Sequence, residues 1–541
     1  MIKNEIVKQI STLLKGENLT LESISVEESS FGDYSTSFPL KLTKFKSYQT
    51  PIEVAKFFVS KLQKNTLFSE VTATEPGFIN FKLNQKEAAK MLLEIIRQEK
   101  YYGKTSPNKN KKARVEFVSA NPTGPLHIGN ARGGPIGDSI ASVLEKTGFQ
   151  VQREYYNNDI GTQVDIFGDS LIALIKTKLG EKQEIVEEKT YQGEYLEELA
   201  EKIIKKLSLT SIETVQNKSE EIKALASVTL SEEIIVDCQA MGISFDEIIK
   251  ESEFQSSGKT EKVVAKLKKK GLTKEKDSAV WFAPNDAYLK DRESVLVRGD
   301  GRATYFADDI AYHEEKFESK PDLVVNILGS NHHGHVPRLQ AAIASLGFDA
   351  NKFKPILYQY VRVRRGNEVV KMSKRAGNYV TAREVLDEVG KDAFRFLLLF
   401  NSANSHIDFD LELAKKHKAD NPVYYVQYAH ARLSSILKKA SPLDLDKFDP
   451  GLLTTAQEFS LIKKILEFPD LVFELSESFA IHQLAHYSIS LAELFHHFYE
   501  KDKVISSNQE LTHSRLALIR ATKITLENSL SLLGVSAPES M

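Results

Sequence analysis

Apolar residues recur at helical spacing from the start of the chain, as in Ile2, Ile6 and Ile10 with charged residues between them, and predict an amphipathic helix. Alternation replaces that period in Val71-Thr-Ala-Thr-Glu75 and Phe78-Ile-Asn-Phe-Lys-Leu83, two expected strands. The polar stretch Thr105 to Lys112 then reads as a linker, so residues 1–105 are expected to form a small α/β domain. Ala113 to Ser119 reads as a strand, Asn121 to Pro125 as a turn, and Ile136, Ile140, Val143 and Leu144 as a helix ending at Gly148. Gly133-Gly-Pro135 leaves that helix two possible starts, Ile128 or Ile136. Phe149 to Tyr156 returns as a strand, and the strand–helix–strand unit predicts a parallel, doubly wound sheet.

From Gly180 to Lys290 the pattern is Lys/Glu-rich and helical, with a basic run at Lys262 to Lys276 that reads as a solvated face or, alternatively, a phosphate-binding surface. Sheet features resume with a strand at Leu323 to Leu328, a helix at Pro337 to Leu346 and a strand at Pro355 to Val363. Residues 113–375 therefore form one α/β unit with a helical insertion at about 180–290. A connecting segment, 376–415, leads to a helical bundle over 416–541. In that bundle Asn421 caps a helix with Pro422 at its first position, and Val423, Val426, Ala429, Leu433 and Ile436 mark its buried stripe. Further helices are expected at 455–475, 478–500 and 511–534.

Composition narrows the function classes. The 541 residues exceed one hydrophobic core, and 41% apolar with 27% charged residues is the composition of a globular protein. No run of 18 apolar residues suggests a membrane span, and the first ten residues lack a secretory pattern, so the expected location is the cytoplasm. Cys238 is the single cysteine, which excludes an internal disulfide and a multi-thiolate metal site. A net charge of -2 requires any nucleic-acid contact to be local.

Two loops carry candidate chemistry. In Glu116-Phe-Val-Ser-Ala-Asn-Pro-Thr-Gly-Pro-Leu-His-Ile-Gly-Asn130 a strand gives way to a helix start, where free amides and the helix dipole favour an anion. Gly124 and Gly129 admit a phosphate close to backbone, and His127 supplies a donor there; the alternative is a turn that only packs helix on sheet. In the second loop Arg362, Arg364, Arg365, Lys371, Lys374 and Arg375 oppose only Glu368. Such a run suits a solvated surface, but Lys371-Met372-Ser373-Lys374 also suits a clamp on departing pyrophosphate. Tyr305 and Asp309 would share a face of one helical turn, and His332, His333 and His335 read as a polar wall rather than a metal site. Tyr424, Tyr425 and Tyr428 crowd one turn, as core packing or as a stacking surface for bases.

The loop pair resembles the HIGH and KMSKS signatures of class I aminoacyl-tRNA synthetases, and the wider pattern is similar to the arginyl-tRNA synthetase family. The resemblance rests also on Phe31-Gly-Asp-Tyr34, Pro76-Gly-Phe-Ile-Asn80, Asp300 to Ala311, Gly329 to His335, Asn421 to Arg432 and the ending Leu533 to Met541. It implies a Rossmann-like catalytic domain, ATP and L-arginine as substrates, Mg2+ brought with ATP, arginine tRNA as partner and a monomer. It further implies that Gly124, His127, Gly129, Asn130, Lys371, Met372, Ser373 and Lys374 meet ATP, with His127, Lys371 and Lys374 catalytic. Arginine would be held by Glu116, Asn121, Tyr305, Asp309 and His332, with Asp309 and Glu116 on the guanidinium and Asn121 on the backbone end. The N-terminal domain would touch the D- and T-loop corner of tRNA, and Tyr424, Tyr425 or Tyr428 the anticodon. Asn130 stands where HIGH ends in histidine and Arg375 where KMSKS ends in serine. The rival readings are another class I synthetase and a catalytically silent tRNA-binding relative.

Overall fold

The computed structural model describes residues 2–541 apart from 22, 43–44, 47, 63–64, 182–189, 285–288, 290–293, 367 and 371–379. Five parallel strands form the central sheet, in the spatial order Phe353–Tyr358, Leu323–Gly329, Lys112–Glu116, Gln150–Asn157 and Glu247–Lys250. Val115 pairs with Val325 on one side and with Arg153 on the other, which puts the first signature strand at the centre. Helices cover both faces, so Ala113 and Val115 are buried alike with Arg114 and Glu116. The chain builds outward from the central strand to one edge, then crosses to the other side at Leu323. The crevice at the carboxyl ends of Lys112–Glu116 and Leu323–Gly329 is therefore the switch point where doubly wound sheets bind ligands.

The helical path after the first signature begins at Ile128: a turn over Ile128–Ala131 leads straight into the helix Gly133–Lys146. Pro135 falls in its first turn, where a missing amide costs no helical bond. The glycines beside it have a packing reason. A Cβ on Gly137 would lie 2.2 Å from Cγ of Phe117, and one on Gly134 would lie 2.7 Å from Ile243. These positions bring the helix against the strand exit.

Three expected elements take a different form. The strand expected over Pro355 to Val363 divides: Phe353–Tyr358 stays in the main sheet, while Val361–Arg365 pairs antiparallel with Glu368–Val369 and parallel with Ile407–Asp410. Buried Val361 and Val363 alternate with more exposed arginines, the pattern of a one-sided strand rather than a central one. The insertion is helical through Lys259–Lys269, then forms an antiparallel sheet of Thr273–Lys276, Ala279–Phe282 and Ser294–Val297. Asp277 and Ser278, at φ 52 and 58, make the two-residue turn between its first strands, and so part of the basic run is strand. The connecting segment contains the helix Ala382–Leu399, interrupted at Gly390 with φ 78, and the strand Ile407–Asp410.

The C-terminal helices are Pro422–Lys439, Ala456–Ser478, His482–Lys501 and Gln509–Leu532. Asn421 caps the first through its side chain, and the five stripe residues from Val423 to Ile436 are buried. A four-stranded antiparallel sheet in the order Glu27–Glu28, Tyr34–Thr36, Phe78–Leu83, Phe68–Thr74 forms the N-terminal unit with helices Ile2–Gly16 and Pro51–Leu62. It is tied to helix Ala456–Ser478 by Lys463 to Asp33 at 2.7 Å and by Lys3 N–H donating to Asp470 at 3.1 Å. Among the described residues no helix is long and apolar enough to cross a membrane.

Candidate functional site

At the end of the central strand the backbone turns sharply. Val118 and Ser119 take φ 69 and 41, a left-handed conformation that disfavours a β-branched residue by about 1–3 kcal/mol. The turn is secured on several sides. Ser119 Oγ donates to Glu116 at 3.2 Å and accepts from Tyr156 N–H at 3.1 Å, while Tyr155 donates to the Ala120 carbonyl at 2.7 Å.

His127 is the cap of the following helical turn. Its Nδ1 accepts from Gly129 N–H at 2.8 Å, so the neutral ring carries its proton on Nε2. Gly129 therefore has a steric duty beside the expected phosphate role: a Cβ there would stand 2.9 Å from His127 Nδ1. Two backbone bonds clamp this segment to the far side of the second signature. Ile128 N–H donates to the Val380 carbonyl at 3.2 Å and Ala382 N–H to the Leu126 carbonyl at 2.7 Å. On the near side, Val370 N–H donates to Val363 at 3.0 Å. The expected ATP residues Lys371, Met372, Ser373 and Lys374, and Arg375 with them, lie outside the described residues. Their two flanks, however, are fixed against the His127 loop and the sheet beside it. Arg132 is fully buried and extends the same scaffold, donating to the carbonyls of Gln359 and Ser405 at 2.7 Å and of Ser402 at 2.8 Å.

Across the crevice, helix Tyr305–Glu318 brings Tyr305 and Asp309 to one face, as the spacing predicts. Tyr305 is 57% exposed and stacks on His335 with centroids 5.4 Å apart. His335 Nε2 bonds Asp309 Oδ2, and His313 Nδ1 lies 3.0 Å from Oδ1. Burial works to raise the Asp309 pKa, but the two imidazoles outweigh it and hold the group well below the usual carboxylate range. His332 packs edge-on against His335, and its pKa is lowered by burial and by that neighbour.

Glu116, on the central strand, is enclosed by partners of its own. It is only 6% exposed, and its Oε2 accepts from Lys316 at 2.6 Å and from Asn326 at 2.9 Å. Its charge is met inside the protein by Lys316. Lys316 also lies 3.3 Å from Glu154, which pairs with Arg114. Asn121 is exposed and donates to Gln163 at 2.9 Å, on the rim of the crevice. Gly124 lies in the bend before His127, and Asn130 accepts through its carbonyl from Tyr358 at 3.3 Å.

Several residues at this site escaped the sequence reading. Glu251 follows the edge strand Glu247–Lys250 and is buried; desolvation first, then Asp308, Asp309 and Asp159, push its pKa up to about 9. It is a neutral acid at pH 7. Tyr156 Oη, whose pKa is raised by burial and then by the charges of Glu251, Asp309, Asp308 and Glu116, is buried with no hydrogen-bond partner among the described residues. His335 Nδ1 is likewise unpartnered there. Buried polar atoms left in this way are open to a ligand. Glu251 stands in a Lys/Glu-rich stretch and Tyr156 in an ordinary strand, neither of which signals a site, whereas His335 belongs to the loop already read as a polar wall.

On the C-terminal bundle, Tyr424 and Tyr428 stack at 6.2 Å and Tyr428 continues onto His496 at 6.1 Å. Tyr428 is 40% exposed, while Tyr425 packs against His496 at 5.2 Å. Tyr424 and Tyr428 thus form an aromatic row that reaches the surface at Tyr428, while Tyr425 packs against the core.

Comparison with known proteins spans the whole chain. Residues 1–83 match the arginyl tRNA synthetase N terminal domain, 91–433 the catalytic domain of class I (R) tRNA synthetases, and 426–541 the DALR anticodon binding domain. An arginine–tRNA ligase of Dehalococcoides mccartyi (strain CBDB1) is 39% identical over 100% of this chain and 99% of its own. One from Geobacter sp. (strain M21) is 42% identical over 98% of this chain and 96% of its own. The Thermus thermophilus arginyl-tRNA synthetase structure shares the fold, with a TM-score of 0.81 at 23% identity and full coverage of both chains. With its full length matched by these relatives, the chain belongs to the arginyl-tRNA synthetase family of class I aminoacyl-tRNA ligases.

Proposed function

We propose that this enzyme activates L-arginine with ATP to arginyl-adenylate and transfers the arginyl group to the 2′-hydroxyl of the terminal adenosine of arginine tRNA. The observation that carries the reading is Asp309, an ionised carboxylate oriented by two histidines beneath the exposed ring of Tyr305. A carboxylate with fixed lone pairs is the natural partner of a planar guanidinium. Tyr305 covers the aliphatic stem, His332 lines the pocket and Asn121 takes the backbone end of the substrate. Glu116 acts through Ser119 and Lys316, holding the strand exit in shape.

Adenylate formation needs no protein nucleophile: the arginine carboxylate attacks the α-phosphorus and pyrophosphate leaves. His127 donates through Nε2 to the α-phosphate side. Gly124, Gly129 and Asn130 line the nucleotide, and Lys371 and Lys374, with Met372 and Ser373 between them, take the charge of the leaving pyrophosphate. Mg2+ arrives bound to ATP oxygens.

Residues 1–105 contact the corner of the tRNA, 113–375 carry the chemistry, 376–415 connect, and 416–541 read the anticodon with Tyr424 and Tyr428 as stacking rings. The enzyme works in the cytoplasm as a monomer. ATP–pyrophosphate exchange tests the reading. Exchange must depend on arginine, and its absence both with and without arginine tRNA refutes it.

A further inference from the structure

Asp309 and Glu116 are joined by a buried chain of hydrogen bonds whose proton positions follow from the chemistry of its ends. Lys316 is fully buried, lies 4.1 Å from the centroid of the Tyr312 ring, and donates to Glu116 at 2.6 Å and to Asn326 Oδ1 at 3.2 Å. An ammonium only donates and a carboxylate only accepts, so the Asn326 amide has one orientation: Oδ1 towards Lys316, Nδ2 towards Glu116 at 2.9 Å. Its second N–H then meets His313 Nε2 at 3.0 Å. That nitrogen must present a lone pair, which leaves the ring proton on Nδ1, 2.8 Å from the Asp309 carbonyl and 3.0 Å from its carboxylate.

Protonating His313 would set N–H against N–H. Turning the amide over would set Nδ2 against an ammonium and Oδ1 against a carboxylate. The hydrogen bonds thus favour the ring with its proton on Nδ1 and a lone pair on Nε2. The other charged or titratable groups around it are Tyr312, whose ring packs edge-on against it at 5.3 Å, Glu154 beyond Lys316, His335 and His332 beyond Asp309, and Asp308 with Glu251 behind that carboxylate. The neighbouring strand presents only the ring of Phe353, edge-on at 5.4 Å.

We propose that Asn326 and His313 are positioning residues for arginine: Asn326 keeps the imidazole neutral and oriented, and His313 holds Asp309 as an uncompensated anion facing the guanidinium. This rests on the arginine-pocket reading given above. A charged imidazole in that place would cancel the charge the substrate needs.

The test is arginine-dependent ATP–pyrophosphate exchange with arginine tRNA present, for wild type, Asn326→Leu and His313→Asn, at pH 6 and pH 8. Asn326→Leu frees Nε2 to take a proton, so the arginine KM should rise about tenfold at pH 6 but only about threefold at pH 8, with the ATP KM within about twofold. His313→Asn keeps a donor near Nδ1 without a titratable ring, and should raise the arginine KM about threefold at both pH values. Equal rises at the two pH values for Asn326→Leu, or an ATP KM that rises in step, would overturn the proposal. Should Asn326→Leu fail to fold, nitrogen NMR of 15N-histidine-labelled wild type, with His313 identified by its loss in His313→Asn, reads the tautomer directly. An unprotonated Nε2 at both pH values supports the proposal, and a doubly protonated ring at pH 6 overturns it. Wild type without arginine-dependent exchange would instead remove the pocket reading, while the NMR result still decides the tautomer.

Discussion

The two ends of the crevice handle charge in opposite ways. Around Asp309 the protein supplies fixed side chains, with Lys316, Glu116, Glu154 and Arg114 paired beneath the surface and imidazoles setting the geometry of one remaining anion. Around His127 it supplies a single capped imidazole and glycines, while the Ile128 and Gly129 amides are already bonded to Val380 and to the ring itself. On the proposed function, a cationic substrate group of fixed shape is met by a preorganised carboxylate. On the same reading, phosphates, whose charge shifts during reaction, are met by the His127 imidazole and by Lys371 and Lys374. Selection and chemistry are thereby divided between two walls of one crevice.

Asp309→Asn should break the first wall most severely, raising the arginine KM about 100-fold, the loss of one charged bidentate contact, with the ATP KM nearly unchanged in steady-state exchange assays. A parallel rise in both constants would merge the walls. On the other wall, His127→Ala should lower kcat about 30-fold and leave the arginine KM within about threefold, the signature of a group acting on developing charge. Gly129→Ala tests whether that imidazole needs its cap. With a Cβ 2.9 Å from Nδ1 the ring must shift, and kcat should fall about tenfold without loss of arginine affinity.

The smallest effect concerns the neutral acid behind Asp309. Glu251 has a folded pKa near 9, above an unfolded value of about 4.3, so its stabilising contribution is full below about pH 4.3 and is lost as pH rises through 9. Glu251→Gln, which cannot ionise, should therefore gain stability over wild type as pH rises from 6 to 9. Thermal unfolding at the two pH values measures it; a gain that does not grow with pH would mean that Glu251 ionises without penalty.

Elements with a strong period or a strong terminator were legible in the sequence. The helix at Asn421-Pro422, the strand at Leu323 and the strand–helix–strand unit at Ala113 all stand where pattern and capping predicted them. The Pro355 to Val363 stretch was misread because apolar content does not reveal a change of sheet, and the hairpin at Asp277-Ser278 because its lysines also suit a helix face. At the site, Tyr305 and Asp309 were readable since a helical turn relates them. Lys316, Asn326, His313 and Glu251 were not, because they meet only through the sheet and the packing of an insertion, contacts that no local spacing encodes. The same reason hid the partners that enclose Glu116.

The most direct measurement is ATP–pyrophosphate exchange by the wild-type enzyme with each amino acid in turn, in the presence and absence of arginine tRNA. Exchange with arginine and with no other amino acid, in at least one of the two conditions, is the expected result. No exchange with arginine under either condition, or equal exchange with another amino acid, would contradict the assignment of Asp309 and His127 to one arginine-activating site.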